Sequence, residues 1–226
     1  MKLLALLLAS AFAQPAVAQL RPQCEGIHCM VAMSESKLDP CVTNIKAARK
    51  DPGGLSIGAY QMSSRYGNAQ ALAKYMAIDM TGIDPVKHAD AWASRWTTIC
   101  ERNADYFLQE QTWFLLNEWP EWQRAERRYE ALKGVSEPIK ALALSVVVSH
   151  GYEGSKRILG GLRGPMPSLT EAELAYDISN KRACSWMERE GRFSKGWMLR
   201  ADREYNEVLR QLGESPRVLE VSCGES

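Results

Sequence analysis

Residues 139–148, IKALALSVVV, leave almost no polar position on any face of a helix. A helix of that kind has to be covered on all sides, so the rest of the chain must supply helices to surround it. Apolar residues recur at helical spacing over 68–80, over 86–119, over 171–180 and over 193–212. The second of these stretches carries Trp92, Trp96, Phe107, Trp113, Phe114 and Trp119, and aromatics so placed are expected mostly in a core. Segment 121–132 is charged on most faces and is expected as a solvated helix, with Pro120 at its first helical position. Alternating acidic and basic residues over 193–212 predict an exposed outer helix. The expected fold class is mainly α.

Residues 1–18 hold one Lys, an apolar run too short to span a bilayer, and the ending Ala16-Val17-Ala18, which together predict a cleaved secretory signal. The remaining 19–226 are expected as a single domain, periplasmic or secreted, with no membrane span after signal cleavage. Arg21-Pro22-Gln23 ahead of Cys24 do not form a lipid-attachment box. Removing the signal leaves 27 of 28 basic residues against 27 acidic ones, so the basic footprint of a nucleic-acid binder is missing. All six cysteines (Cys24, Cys29, Cys41, Cys100, Cys184 and Cys223) lie beyond the signal, and an even number there predicts disulfides whose pairing the sequence leaves open. Three histidines (His28, His88, His150) and no CxxC pair argue against a zinc site; no metal or cofactor is expected.

The chemistry is expected between residues 28 and 76. Met30, Val31, Ala32 and Met33 lead into Ser34-Glu35-Ser36, and Pro40 then breaks the helical pattern, so Glu35 falls at the end of a largely apolar helix. Apolar neighbours disfavour an ionised carboxyl, the condition for a Glu that donates a proton near neutral pH. Asp51 opens DPGGLSIGAYQMSS, whose glycines allow tight turns and close approach of a ligand. Two carboxyls flanking such a turn suggest glycoside cleavage, although an Asp before Pro-Gly-Gly also starts ordinary turns. Ser36, Ser56, Gly58, Tyr60 and Gln61 are candidates to line a cleft or merely polar turn residues. His150, at the end of the apolar helix, either orients substrate or caps helix carbonyls.

Glu35-Ser36, Pro40, Val42, Asp51-Pro52-Gly53-Gly54-Leu55-Ser56, Gly58, Tyr60-Gln61, Ser63-Ser64 and Gly67 resemble the catalytic segment of the phage-lysin and chitosanase-like branch of the lysozyme superfamily. Ser149-His150-Gly151 and Ala175-Tyr176-Asp177 with Arg182 resemble the C-terminal half of those enzymes. The resemblance implies a lysozyme-like two-lobed fold with a cleft between a small N-terminal lobe and a helical lobe. It assigns Glu35 as general acid, Asp51 as second carboxylate and Ser56 as the hydroxyl that holds the attacking water. Ser36, Gly58, Tyr60, Gln61 and His150 would bind substrate. The activity it implies is hydrolysis of a β-1,4 amino-sugar polymer, with peptidoglycan strands the substrate that an exported chain would meet. Three alternatives stand beside it: a lytic transglycosylase using Glu35 alone, a chitosanase, and a non-catalytic glycan-binding protein.

Overall fold

The computed structural model describes residues 27–45, 54–162, 169–190 and 195–224. The leader expected over 1–18, Cys24 and Asp51 lie outside the described residues. Helix α1 (Ile27–Ser36) buries Met30, Val31 and Ala32. It stops one residue after Glu35, because Lys37 and Leu38 both turn into the left-handed region at φ 59° and 68°. The Leu38 N–H returns to the Ala32 carbonyl at 3.2 Å, closing the helix as a glycine cap would, without a glycine.

The chain after this turn is tied down at once. The Pro40 carbonyl accepts from Trp96 Nε1 at 3.3 Å and from Gln111 Nε2 at 2.9 Å, and Cys41 is bridged to Cys100. Three short antiparallel strands follow: β1 (Thr43–Asn44), β2 (Ser56–Ile57) and β3 (Met62–Ser63), with β2 in the middle. Thr43 pairs with Ile57, and Ser56 with both Asn44 and Ser63. Strands of two residues are too short to leave an alternating pattern in sequence. Gly58 begins the β2–β3 turn at φ 73°, where a Cβ would come within 2.2 Å of Gln111 Oε1. That oxygen instead accepts the Ala59 N–H at 2.7 Å, so Gln111 holds both the turn and the Pro40 loop.

Helix α2 (Asn68–Tyr75) ends earlier than its apolar spacing predicts, and Ala77 just beyond it turns to φ 53°. The helical pattern over 86–119 is divided by Asn103, whose side chain accepts the Tyr106 N–H and caps a new helix. Helices α3 (Ala89–Cys100) and α4 (Ala104–Trp113) result, and a π-helical turn, Phe114–Glu118, carries the chain to Pro120. Trp92, Trp96, Phe107, Phe114 and Trp119 are buried as expected, whereas Trp113 is exposed. Helix α5 (Pro120–Arg128) and a 3-10 turn, Glu130–Leu132, are solvated on their charged faces but bury Trp122, Ala125, Ala131 and Leu132.

The apolar run lies in α6 (Glu137–Leu159), where Ile139, Leu142, Leu144, Val146 and Val147 are fully covered by α1, α5 and two later helices, α7 (Glu171–Glu190) and α8 (Lys195–Gln211). Truncating such a residue, as in Leu144→Ala, removes about 2–5 kcal/mol. Helix α6 is broken at Gly151, whose φ 66° and ψ 174° are not helical. The restarted half is capped from outside: Glu121 Oε2 accepts the Tyr152 N–H at 2.7 Å. Beyond α8 the chain runs back along α7 and α8. Asn206 accepts the Arg217 N–H, Asp202 the Leu219 N–H and Asn180 the Ser222 N–H, and the Cys184–Cys223 disulfide ends the strap. Closing loops of 59 and 39 residues, as Cys41–Cys100 and Cys184–Cys223 do, contributes about 4 kcal/mol each in the chain-entropy view.

Candidate active site

Helix α1 packs on α6 and α8 and then hands the chain to the sheet, so Glu35 stands where the helical and sheet-bearing parts meet. Its surroundings differ from the apolar setting that the local sequence predicts. Met30, Val31 and Ala32 do back the helix, but Glu35 Oε1 accepts a hydrogen bond from Arg200 Nη2 at 2.5 Å. The partner is 165 residues away in sequence and could not be read from the segment around Glu35.

Arg200 is one link in a buried chain of charges. Its Nε donates to Glu204 Oε1 at 2.9 Å, and Arg182 Nη1 donates to Glu204 Oε2. Ser145 Oγ donates to Glu204 Oε2 at 2.8 Å while accepting from Arg182 at 3.1 Å and from Arg200 at 3.3 Å. Ser149 Oγ accepts from Arg182 at 3.0 Å, and the Ser34 side chain also bonds to Glu204. Two carboxylates and two guanidiniums, drawn from α1, α7 and α8 around the serines of α6, balance in charge. Exposure rises along the chain: the side chains are 0% exposed at Arg182, 2% at Glu204, 9% at Arg200 and 14% at Glu35. Only its Glu35 end approaches solvent.

The electrostatics follow from this order. Burial on its own would push the Glu204 carboxyl up, but Arg182 and Arg200 outweigh it and hold the group well below the usual carboxylate range. For Arg200 burial is likewise opposed, by Glu35 and Glu204, and the guanidinium is held above its ordinary value. Arg182, fully enclosed, is pulled down by burial to about 10 despite Glu204. Groups this deep and this well paired act as a rigid mount, since each has its position fixed by several partners.

The other expected residues divide. Ser56 is half-buried on the middle strand. Ser36 folds back, its Oγ donating to the Ala32 carbonyl at 3.2 Å. Gly58 is buried against Gln111. Tyr60 is 1% exposed, and its hydroxyl shares a 2.8 Å hydrogen bond with Thr112; burial pushes that hydroxyl up. Its place is in the seam between the turn and α4, and it offers no surface to a ligand. Gln61, at φ 51°, spends its amide on the Gly58 carbonyl. His150 stacks on Trp186 at 5.3 Å, one residue from the helix break.

Helix α8 is also corrected from the outer helix that its charges predict, because Arg200 and Glu204 are buried. A signal was available in the sequence: these two opposite charges fall within the stripe of Ala201, Tyr205, Val208 and Leu209, all of them buried. Among the described residues no cluster of His, Cys, Asp or Glu is arranged to hold a metal ion, and no helix is long and apolar enough to cross a membrane.

A family model described as type VI secretion system spike protein VgrG3-like, C-terminal, matches residues 31–203. No curated protein matches the sequence. Among solved structures, chitosanase from Bacillus subtilis MY002 is similar in its native form and as a mutant complexed with 6 GlcN. Each superposes with a TM-score of 0.56 at 12% identity, over 84% of this chain and 88% of the chitosanase. The likeness is one of fold, mainly α and lysozyme-like.

Proposed function

The chain belongs to the VgrG3-like C-terminal family of type VI secretion system spike proteins, and from that premise we propose that it hydrolyses the β-1,4 glycan strands of peptidoglycan. The observation that carries this reading is the mounting of Glu35. One carboxyl oxygen, Oε1, is pinned by Arg200, and the side chain, 14% exposed, is the end of the network that approaches solvent. A proton delivered from Oε2 to the glycosidic oxygen breaks the bond to the leaving sugar. Asp51 takes a proton from the water that attacks the opposite face, and Ser56 holds that water, which gives inversion at the anomeric carbon. The buried charges behind Arg200 keep Glu35 from swinging away, so part of the orientation cost is met before substrate arrives. Both a secretory leader over 1–18 and the secretion system in the family's name would bring the chain out of the cytoplasm, to where wall glycan is exposed and disulfides persist.

A chitosanase reading has the fold likeness in its favour. A cationic glucosamine polymer is best held by carboxylates that are not already paired. Among the described residues Glu204 is paired with two arginines, and Glu121 is committed to the Tyr152 N–H and Asn68. The carboxylates of the buried network are therefore not available to hold ammonium groups. Digestion of purified sacculi and of a glucosamine polymer by the wild type and by Glu35→Gln tests the assignment. Solubilisation of sacculi by the wild type alone supports it; cleavage of the glucosamine polymer with sacculi untouched replaces it with chitosanase activity.

A further inference from the structure

The hairpin formed by β1 and β2 is gripped at both of its ends by one side chain. The residues that join the two strands include Asp51, and β2 begins with Ser56. Pro40 stands before β1 and Ala59 after β2. Gln111 Nε2 donates to the Pro40 carbonyl at 2.9 Å, and Gln111 Oε1 accepts the Ala59 N–H at 2.7 Å. Between these two points the strands pair directly, Thr43 opposite Ile57 and Asn44 opposite Ser56, with the Gly58 N–H on the Val42 carbonyl at 2.8 Å. Pro40 is also where the chain from Glu35 is first held by another element, since only Lys37, Leu38 and Asp39 separate it from the last residue of α1. One amide on α4 is thus bonded to the end of the α1 turn and to both sides of the hairpin base. Other ties hold each end separately: Cys41 is bridged to Cys100 and its carbonyl accepts from Thr97 Oγ1 at 3.3 Å, while the Tyr60 hydroxyl meets Thr112 at 2.8 Å. Among these, Gln111 alone refers the two ends to a single planar group.

We propose that Gln111 is a positioning residue for glycan cleavage, its amide setting where the hairpin that carries Asp51 and Ser56 stands relative to the helix end that carries Glu35. The inference rests on the glycan-cleaving reading and adds a residue to it. Attack by water opposite the leaving sugar depends on the gap between acid and base, and a misplacement of about 1 Å costs about a hundredfold in rate. Gln111 is 1% exposed, so it reaches the reaction only through the backbone groups it holds. Holding a carbonyl and an N–H at once takes a donor and an acceptor on one side chain, which a primary amide supplies and an apolar or ionised residue of that size does not. The loss of Gln111 is therefore felt in the chemical step more than in substrate binding.

Gln111→Glu and Gln111→Leu test this, with kcat and KM measured on soluble peptide-free peptidoglycan strands below each protein's thermal midpoint. An ionised Glu at 111 accepts the Ala59 N–H but sets its second oxygen against the Pro40 carbonyl; protonated, it donates there as the amide does. Burial raises such a carboxyl, so the protonated form returns as pH falls. The kcat of Gln111→Glu, taken relative to wild type at the same pH, should be down about tenfold or more at alkaline pH and recover toward the wild-type value in acid. Gln111→Leu should be as slow at every pH, with KM close to wild type. A Gln111→Glu ratio that stays flat with pH, or a Gln111→Leu protein whose thermal midpoint falls while its kcat does not, overturns the positioning role and leaves the glycan-cleaving reading standing. A wild type that leaves the strands uncut overturns that reading and this inference with it.

Discussion

Replacing Glu204 by Gln probes the buried network at its centre. The side chain is 2% exposed and receives hydrogen bonds from Arg182, from Arg200 at 2.9 Å and from Ser145 at 2.8 Å. The amide keeps the shape and removes the charge, leaving Arg182 buried with no carboxylate within ion-pair distance among the described residues. Two routes give the size of the effect. Deleting one member of a buried ion pair costs about 3–5 kcal/mol. Independently, burial would raise the Glu204 carboxyl but the two guanidiniums bring it down to about 2, which by linkage corresponds to roughly 3 kcal/mol. For a chain of this size the thermal midpoint at neutral pH should fall by about 6–20 °C. The pH dependence has a fixed sign. A carboxyl held lower in the folded than in the unfolded state contributes fully above the unfolded value and loses that contribution as pH falls toward the folded one. The gap between wild type and Glu204→Gln should therefore be full near pH 7 and close as pH drops from about 4.5 toward 2. Urea unfolding of both proteins across that range measures it. A gap independent of pH, or one under about 1 kcal/mol at pH 7, would refute the coupling of Glu204 to its arginines.

Glu35→Gln should retain the wild-type thermal midpoint within a few degrees and lose glycan cleavage by at least about a hundredfold, read as release of soluble fragments from sacculi. Lys37→Gly should stabilise by about 0.5–1 kcal/mol, since a lysine at φ 59° carries strain that glycine does not; denaturant midpoints that fall instead would contradict the strained cap. Gly58→Ala should destabilise by more than about 2 kcal/mol, because its Cβ meets Gln111 Oε1 at 2.2 Å in a left-handed turn; a neutral outcome would mean that Gln111 does not lock the turn.

How far the sequence carries depends on how local each signal is. The covered helix over 139–148, the helix start at Pro120 and the buried aromatics of α3 and α4 are legible, because each follows from residues within a few turns of one another. The expected leader and the even cysteine count imply disulfides, and Cys41–Cys100 and Cys184–Cys223 are formed. The surroundings of Glu35 are not local. Its own helix predicts an apolar setting, and only the packing of α8 against α1 brings Arg200 to it. The charges of α8 look like those of a surface helix for the same reason: whether an Arg and a Glu one turn apart face water or Arg182 depends on another helix. Tyr60 reads equally well as a cleft hydroxyl or as an anchor until Thr112 is seen beside it.

The central claim, that a water molecule attacks the sugar with Asp51 as its base, is tested most directly by digesting sacculi in heavy-oxygen water and weighing the released fragments. The account predicts reducing ends that carry one heavy oxygen from the wild type, and loss of those products in a folded Asp51→Asn protein. Anhydro ends without label, formed as readily by Asp51→Asn as by the wild type, would contradict it and leave a transglycosylase working through Glu35 alone.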